Sequence, residues 1–157
     1  MPKITPYLWF ESKAEEAVNF YVSIFRDSKI MNITKFDGKD VGQEGAVVSI
    51  TFQLEGQQFY ALNGGPQFTF SPAVSFYIDC ETQQEIDHYW EKLSCGGEKQ
   101  MCGWLKDKYG LSWQVVPVIL GEMMQDRDAE RLERVTKAML QMQKLDIGLL
   151  KKAYEEK

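Results

Sequence analysis

Apolar and polar positions along the chain follow two periods, one of two residues and one of three to four. The stretch from Ile4 to Phe10 is short, β-branched and aromatic, which predicts a strand. Ser12 and Glu15 then form an S-x-x-E capping box, which predicts the start of a helix. That helix carries one apolar stripe: Val18, Tyr21, Val22 and Phe25. Three strand-like stretches follow it, around Ile30 to Phe36, Ala46 to Leu54 and Phe59 to Asn63.

The same order of elements begins again after the loop Asn63-Gly64-Gly65-Pro66. Ala73 to Cys80 predicts a strand, and Thr82 with Glu85 forms a second capping box. A second stripe follows at helical spacing: Ile86, Tyr89, Trp90 and Leu93. A constant shift aligns the two units, with Leu8 on Phe76, Val18 on Ile86, Tyr21 on Tyr89 and Phe25 on Leu93. Strands around Lys99 to Leu105 and Leu111 to Val116 complete the repeat. We therefore predict two βαβββ units, at about 1–66 and 67–120, with one weak strand in the shorter second unit.

The chain changes character over residues 121–157, which have no counterpart in the repeat. Helical spacing continues through charged sequence, and a second apolar patch comes after it. The first set is Leu132, Val135, Met139 and Met142, and the patch is Leu145, Ile147, Leu149 and Leu150. The pattern predicts a C-terminal helical extension that docks either on the body of the protein or on a partner subunit. Because the patch is hard to solvate on a lone helix, we expect a homodimer.

Composition narrows the classes of partner. The net charge of -5 and the pI near 5.0 argue against nucleic acid and anionic membranes, which select basic surfaces. No apolar run approaches the roughly 20 residues of a membrane-spanning helix. Three cysteines without a C-x-x-C motif fit a reduced, cytoplasmic compartment.

Side chains alternate across a strand, so each predicted strand presents two faces. One face is mostly aliphatic and suits packing under helices; Tyr60 and Leu62 are assigned to it. The other mixes aromatic rings with hydroxyls and amides, which suits a pocket for a small organic ligand. Its candidate ligand-binding residues are Thr5, Tyr7, Trp9, Thr51, Phe59, Ser75, Tyr77, Ser112 and Gln114. The alternative interpretation of this face is a second core layer or a dimer face.

Several stretches carry a resemblance to a known superfamily: Ala14-Glu15-Glu16-Ala17 through Phe20-Tyr21, Leu62-Asn63-Gly64-Gly65-Pro66, Tyr89 to Leu93 and Gly103 to Gln114. With the paired units, they resemble the vicinal oxygen chelate proteins, which include glyoxalase, extradiol dioxygenases and bleomycin-resistance proteins. More narrowly, the chain resembles the PhnB-like branch, often labelled 3-demethylubiquinone-9 3-methyltransferase. The resemblance implies an α+β fold in which paired βαβββ units form a curved mixed sheet around a cleft, with a C-terminal helical extension.

The resemblance also implies where a metal would be held in metal-using relatives. The four ligand positions fall near Thr5, Ala61, Ala73 and Gln114, none of which carries a carboxylate or an imidazole. The one histidine, His88, lies off the apolar stripe of its helix and is expected in solvent. We therefore predict no metal and no cofactor.

Other catalytic arrangements find little support in the sequence. Neither glycine pair follows a parallel strand and opens a helix, as an adenosylmethionine site of the usual kind requires, and one histidine cannot supply a Ser-His-Asp triad. Asp107, beside Lys106 and Lys108, predicts a solvated hairpin. The hypothesis is a metal-independent protein that binds a small organic ligand without contacting nucleic acid or membrane. The alternatives are an enzyme of the same superfamily with an unidentified substrate and an atypical or substrate-supplied metal, and an interaction module whose working surface is the methionine-rich tail.

Overall fold

The structure is a computed structural model that describes residues 3–35 and 47–156. Phe36 and Ala46, the ends of two predicted strands, lie outside the described residues. The chain divides into two compact units, Met1–Phe70 and Ser71–Lys157. Each unit is built around one four-stranded mixed sheet and its own first helix.

The first unit contains β1 (Tyr7–Phe10), α1 (Ala14–Ile24), β2 (Lys29–Lys35), β3 (Val47–Leu54) and β4 (Gln57–Asn63). Its strands lie in the order β1-β4-β3-β2, with β1 parallel to β4 and the other neighbours antiparallel. The stripe of α1 is buried through Ala14, Ala17, Val18, Tyr21 and Ile24. It packs on β3, whose Ile50 and Phe52 are almost fully buried.

The predicted capping box at Ser12 and Glu15 is wrong. The N-cap residue of α1 is Lys13, and its side chain makes no capping hydrogen bond. Instead, the Ala14 backbone N–H donates to Oδ1 of Asn63 over 2.8 Å. A residue at the end of β4 therefore satisfies the first turn of this helix, which a local pattern cannot reveal.

The second unit begins with β5 (Ser75–Cys80), α2 (Gln83–Ser94), β6 (Glu98–Lys99), β7 (Trp104–Lys106) and β8 (Ser112–Pro117). Its strand order is β5-β8-β7-β6, with β5 parallel to β8. The second capping box is confirmed at its N-cap, because the Thr82 hydroxyl accepts from the Glu85 backbone N–H. The predicted strand from Lys99 to Leu105 is two short strands separated by a turn, in which the Gln100 and Trp104 backbones pair.

The C-terminal segment packs onto the second unit as α3 (Val118–Met123), α4 (Ala129–Leu140) and α5 (Ile147–Glu155). These helices share one buried apolar cluster: Val116, Leu120, Met123, Val135, Leu145 and Leu150. Cys102 and Gly103 donate backbone N–H groups to the carbonyls of Met142 and Gln143, both at 2.8 Å. Two residues of the predicted apolar patch, Leu145 and Leu150, are therefore buried within the chain, whereas Leu149 is 53% exposed.

The architecture confirms the predicted fold class, an α+β chain with two units of the glyoxalase type and a C-terminal set of helices. The aligned positions of the repeat have matching roles, because Val18 and Ile86 are both fully buried on the first helix of their unit. Across the described ranges, no helix has the length and apolar character needed to cross a membrane.

Candidate functional site

Each sheet has a face covered by the first helix of its own unit and a second face turned away from that helix, which we call the distal face. Strand register assigns every residue to one of them, because cross-strand partners lie on the same side. In the first unit Leu8 pairs with Ala61 on the helix-covered face, and Tyr7 pairs with Tyr60 on the distal face. In the second unit Phe76 pairs with Trp113 on the helix-covered face, and Tyr77 pairs with Gln114 on the distal face.

The first distal face carries Tyr7, Trp9 and Thr51 of the predicted site residues. The rings of Tyr7 and Tyr60 lie 5.2 Å apart, and Thr51 is the cross-strand partner of Tyr60. Thr5 is half-buried and comes just before β1. Rings and a hydroxyl therefore share this face, as the alternation predicted.

The face assignment of Phe59 is wrong. Phe59 pairs with Phe52 under α1, where the two rings stack with centroids 5.3 Å apart, and it is buried. Tyr60 and Leu62 occupy the distal face in its place. Both faces of β4 carry apolar residues, so the sequence does not indicate which residues of β4 face the helix. Only the pairing with β1 and β3 decides this.

Trp9 organises the loop that follows β4. Its indole N–H donates to the Gly65 carbonyl over 3.0 Å, and its ring meets Phe68 edge-on at 5.0 Å. A Cβ at Gly64 would come within 2.3 Å of the indole ring, so this position has room only for glycine. Neither Gly64 nor Gly65 opens a helix, in agreement with the sequence prediction for this loop.

The second distal face brings together four predicted residues, Ser75, Tyr77, Ser112 and Gln114. Ser112 lies opposite Ser75, and the Gln114 amide donates to the Ser75 hydroxyl over 3.0 Å. The Tyr77 side chain is half-exposed, and the pKa of its phenol is raised, first by partial burial and then by nearby Asp79. Its phenol is therefore neutral and able to donate a hydrogen bond at physiological pH.

Two residues of this face were missed in the sequence. Trp104 pairs with Gln114 and Lys106 pairs with Ser112, and both side chains are half-buried. The available signal was the apolar Leu105, which is buried. In a strand, the residues on either side of it, Trp104 and Lys106, point to the opposite face. It was hidden because the strand was placed from Lys99 to Leu105 and so ended before the lysine.

Register thus arranges six side chains in two rows across three strands. We call Ser75, Ser112 and Lys106 the Ser112 row, and Tyr77, Gln114 and Trp104 the Gln114 row. Ser112 is fully buried, and its hydroxyl has no hydrogen-bond partner in the described structure. Val116, one further row along, belongs to the apolar cluster of the C-terminal helices, which therefore border this face.

The prediction of a solvated hairpin at Asp107 is wrong. Asp107 is 2% exposed, and its carboxylate accepts hydrogen bonds from the Tyr109 and Leu111 backbone N–H groups and from Nε1 of Trp113. The carboxylate ties the turn to the helix-covered face. Because its sequence neighbours are lysines, the local pattern predicted solvent exposure and not this structural role.

The four positions implied for a metal do not form a ligand set. Ala61 is fully buried on the helix-covered face, and Ala73 is exposed ahead of β5. Thr5 and Gln114 offer only neutral oxygens, which hold a divalent ion weakly without a carboxylate. Among the described residues, no group of three histidine, cysteine, aspartate or glutamate side chains is placed to hold a metal. His88 is exposed, as predicted.

The Cys80 thiol shows no sign of activation. Cys80 is fully buried, and burial, with Glu85 and Asp79 nearby, raises the pKa of its thiol to about 12. A thiol with such a pKa is a poor nucleophile at neutral pH. Cys80 therefore acts as a core residue of the second unit.

Comparison with known proteins identifies the family. The family described as 3-demethylubiquinone-9 3-methyltransferase matches residues 2–116. The structure of a putative 3-demethylubiquinone-9 3-methyltransferase, PhnB protein, from Bacillus cereus is 44% identical, with a TM-score of 0.70 over 74% of this chain and 100% of that chain. No significant relative was found among curated proteins.

Two more distant structures share the fold. A protein from Pseudomonas aeruginosa is 18% identical, with a TM-score of 0.65 over 74% of this chain and 98% of its own. The fosfomycin resistance protein FosX from Listeria monocytogenes, in complex with Mn(II) and sulfate, is 14% identical, with a TM-score of 0.52 over 72% and 90%. Together with the family match and the paired units, these comparisons show that the chain belongs to the 3-demethylubiquinone-9 3-methyltransferase (PhnB-like) family, within the glyoxalase/bleomycin-resistance fold.

Proposed function

We propose that the protein binds a small organic molecule without a metal ion and that the Gln114 row is the centre of its site. The observation that carries the proposal is the position of the Gln114 amide between two aromatic side chains, Tyr77 and Trp104, on neighbouring strands. Aromatic rings supply contact area at little cost in side-chain entropy, and an amide both donates and accepts hydrogen bonds. Small-molecule sites typically combine an aromatic and apolar lining with a few polar groups that orient the ligand.

The remaining predicted residues of the second distal face support the same proposal. Ser75 holds the Gln114 amide by the 3.0 Å hydrogen bond, so the amide is oriented before any ligand binds. On the first distal face, Tyr7, Trp9 and Thr51 present a similar mixture with Tyr60, and we propose it as a further binding surface.

The proposal does not involve a metal, because the donor atoms present do not fit one. FosX contains Mn(II), but here an alanine under α1 and an exposed alanine occupy two of the four implied positions. No step of the proposed function therefore passes through a metal.

We also propose that the protein is a homodimer and that it is cytoplasmic. The exposed apolar side chains of Leu140 and Leu149 support the dimer, and the free cysteine thiols support a reducing compartment.

Equilibrium dialysis against a bacterial metabolite extract, in the presence of EDTA and read by mass spectrometry, tests the binding function. We expect the full chain to retain one or a few small organic compounds. Gln114→Leu should reduce that retention about tenfold, because it leaves ligand groups without a partner. The matched control is Gln84→Leu, an exposed glutamine on α2, which should retain the compounds as the wild type does.

Two outcomes would contradict the proposal. Folded wild-type protein that retains nothing would remove the binding function, and retention that requires added Mn²⁺ or Zn²⁺ would favour the metal-using enzyme instead. Circular dichroism of each variant confirms that the protein used is folded.

A further inference from the structure

The Ser112 row contains three hydrogen-bond donors for which the described structure provides no acceptor. The Ser112 hydroxyl is fully buried and has no partner. The Ser75 hydroxyl accepts from Gln114, which leaves its own hydrogen to donate. The side chain of Lys106, on β7, makes no ion pair and no hydrogen bond with the residues that the structure describes.

Register places these donors side by side. Ser112 is the cross-strand partner of both Ser75 and Lys106, and directly opposed side chains have Cβ atoms about 5 Å apart. The nearest acid in register is Glu98, opposite Lys106 on β6, and it is exposed and forms no ion pair with that lysine. The half-buried Lys106 side chain therefore lies next to the Ser112 hydroxyl, with Ser75 on the far side of Ser112, and the row holds donors without acceptors.

We infer that the Ser112 row binds the anionic group of the ligand, a carboxylate or a phosphoryl group. The inference rests on the proposed binding function and specifies its ligand class. Anionic oxygens accept several strong hydrogen bonds at once, which suits one ammonium and two hydroxyls. An uncharged ligand would leave the Lys106 charge unpaired beside the buried Ser112 hydroxyl.

The Gln114 row fixes the rest of the ligand. It lies two residues further along the strands, about 7 Å from the Ser112 row at the rise of a strand. A ligand that reaches both rows is a small organic acid, with its anion on Lys106 and Ser112 and its flat or apolar body between Tyr77 and Trp104. The apolar cluster at Val116 limits its length beyond that row.

Ser112 provides a test that a structural role would not satisfy. Removing a buried hydroxyl that stabilises the fold lowers stability, whereas removing one without a partner relieves a desolvation cost. We expect Ser112→Ala to leave the melting temperature unchanged or higher while it weakens binding of the anionic ligand several-fold. A lower melting temperature for Ser112→Ala would overturn the assignment.

The charge is tested with three probes of similar shape, namely benzoate, phenylphosphonate and neutral benzamide, titrated into the full chain and followed by NMR chemical shifts. We expect an acid to bind more tightly than benzamide, and Lys106→Met to abolish that preference, a loss of about tenfold in affinity for the acid. Lys92→Met removes the same charge from an exposed position on α2 and should change nothing. Benzoate and phenylphosphonate distinguish a carboxylate from a phosphoryl ligand.

The two proposals fail in different ways. If wild-type protein binds benzamide as tightly as the acids, or if Lys106→Met leaves acid binding unchanged, the anion assignment is overturned and the binding function stands. The same holds if the dialysed protein retains only uncharged compounds. If dialysis yields no retained compound at all, the binding function itself is overturned, and the anion assignment falls with it.

Discussion

At the scale of residues, the buried carboxylate of Asp107 is hydrogen-bonded within its own hairpin. Its donors include two backbone N–H groups and Nε1 of Trp113, the last at 2.9 Å. Trp113→Phe keeps most of the buried ring but removes that donor, so we expect a loss of about 2 kcal/mol in the free energy of unfolding, as for a charged group that loses a buried hydrogen bond. Chemical denaturation measures the loss.

Trp104→Phe is the matched control for this substitution. Trp104 lies on the neighbouring strand, and its indole N–H donates to no described residue. Its replacement should cost less than about 1 kcal/mol, because the ring is half-buried, its change in volume is small and it loses no hydrogen bond within the described residues. Equal losses for the two tryptophans would show that ring volume, and not the bond to Asp107, stabilises the hairpin.

Prediction from sequence failed where the partner of a residue is remote or its environment is ambiguous. Asp107 sits among lysines in a turn, and nothing local indicates that Trp113 and two backbone N–H groups enclose it. Phe59 lies in a run whose two faces are equally apolar. By contrast, Gln114 alternates with the buried Trp113 and Val115, and the exposed Tyr77 alternates with two half-buried apolar residues. The face that Tyr77 and Gln114 share was predicted correctly.

At the scale of elements, Gly97 controls whether β6 can pair with β7. A Cβ at this position would lie 2.1 Å from the Lys106 carbonyl and within 3 Å of the Asp107 backbone. Because backbone cannot give way as a side chain can, we expect Gly97→Ala to destabilise the protein by about 3 kcal/mol. Thermal unfolding measures the effect, and the displacement of β7 should also weaken acid binding at Lys106.

Gly121→Ala is the control for that change. Gly121 lies in α3, and an added Cβ would meet no atom within 4 Å. Alanine is the better helix former, so we expect stability to rise by about 0.5 kcal/mol. If Gly97→Ala were as well tolerated as Gly121→Ala, the close approach of β6 to β7 would be refuted.

Elements were predicted well where one residue pattern decides them and poorly where the contact is distant. The apolar stripes gave α1 and α2, and Thr82 caps α2 as predicted. The start of α1 was wrong because Asn63, at the end of β4, satisfies its first N–H. The β6–β7 pair was merged into one strand because two- and three-residue strands are too short to show a period.

At the scale of the whole molecule, the repeat was decisive for the fold, because both units have the predicted strand-helix-strand order around one sheet. The role of the C-terminal segment was left open between docking on the body and docking on a partner. Val135, Leu145 and Leu150 are all fully buried with Val116 of β8, so the segment packs within its own chain. An apolar spacing predicts burial but does not identify what covers it.

Two adjacent leucines of α5 separate intramolecular packing from dimer formation. Leu150 is fully buried in the C-terminal cluster, and Leu149 is 53% exposed. Leu150→Ala leaves a cavity in close-packed surroundings, so we expect it to lower the free energy of unfolding by about 3 kcal/mol. Leu149→Ala should change it by less than about 0.5 kcal/mol, because an exposed side chain contributes little to the folded chain.

Light scattering over a range of protein concentrations tests the dimer with the same two variants. If the proposed dimer uses this surface, Leu149→Ala shifts the mass toward monomer while the fold remains intact. A Leu150→Ala variant as stable as the wild type would instead refute the docking of the C-terminal helices on the second unit.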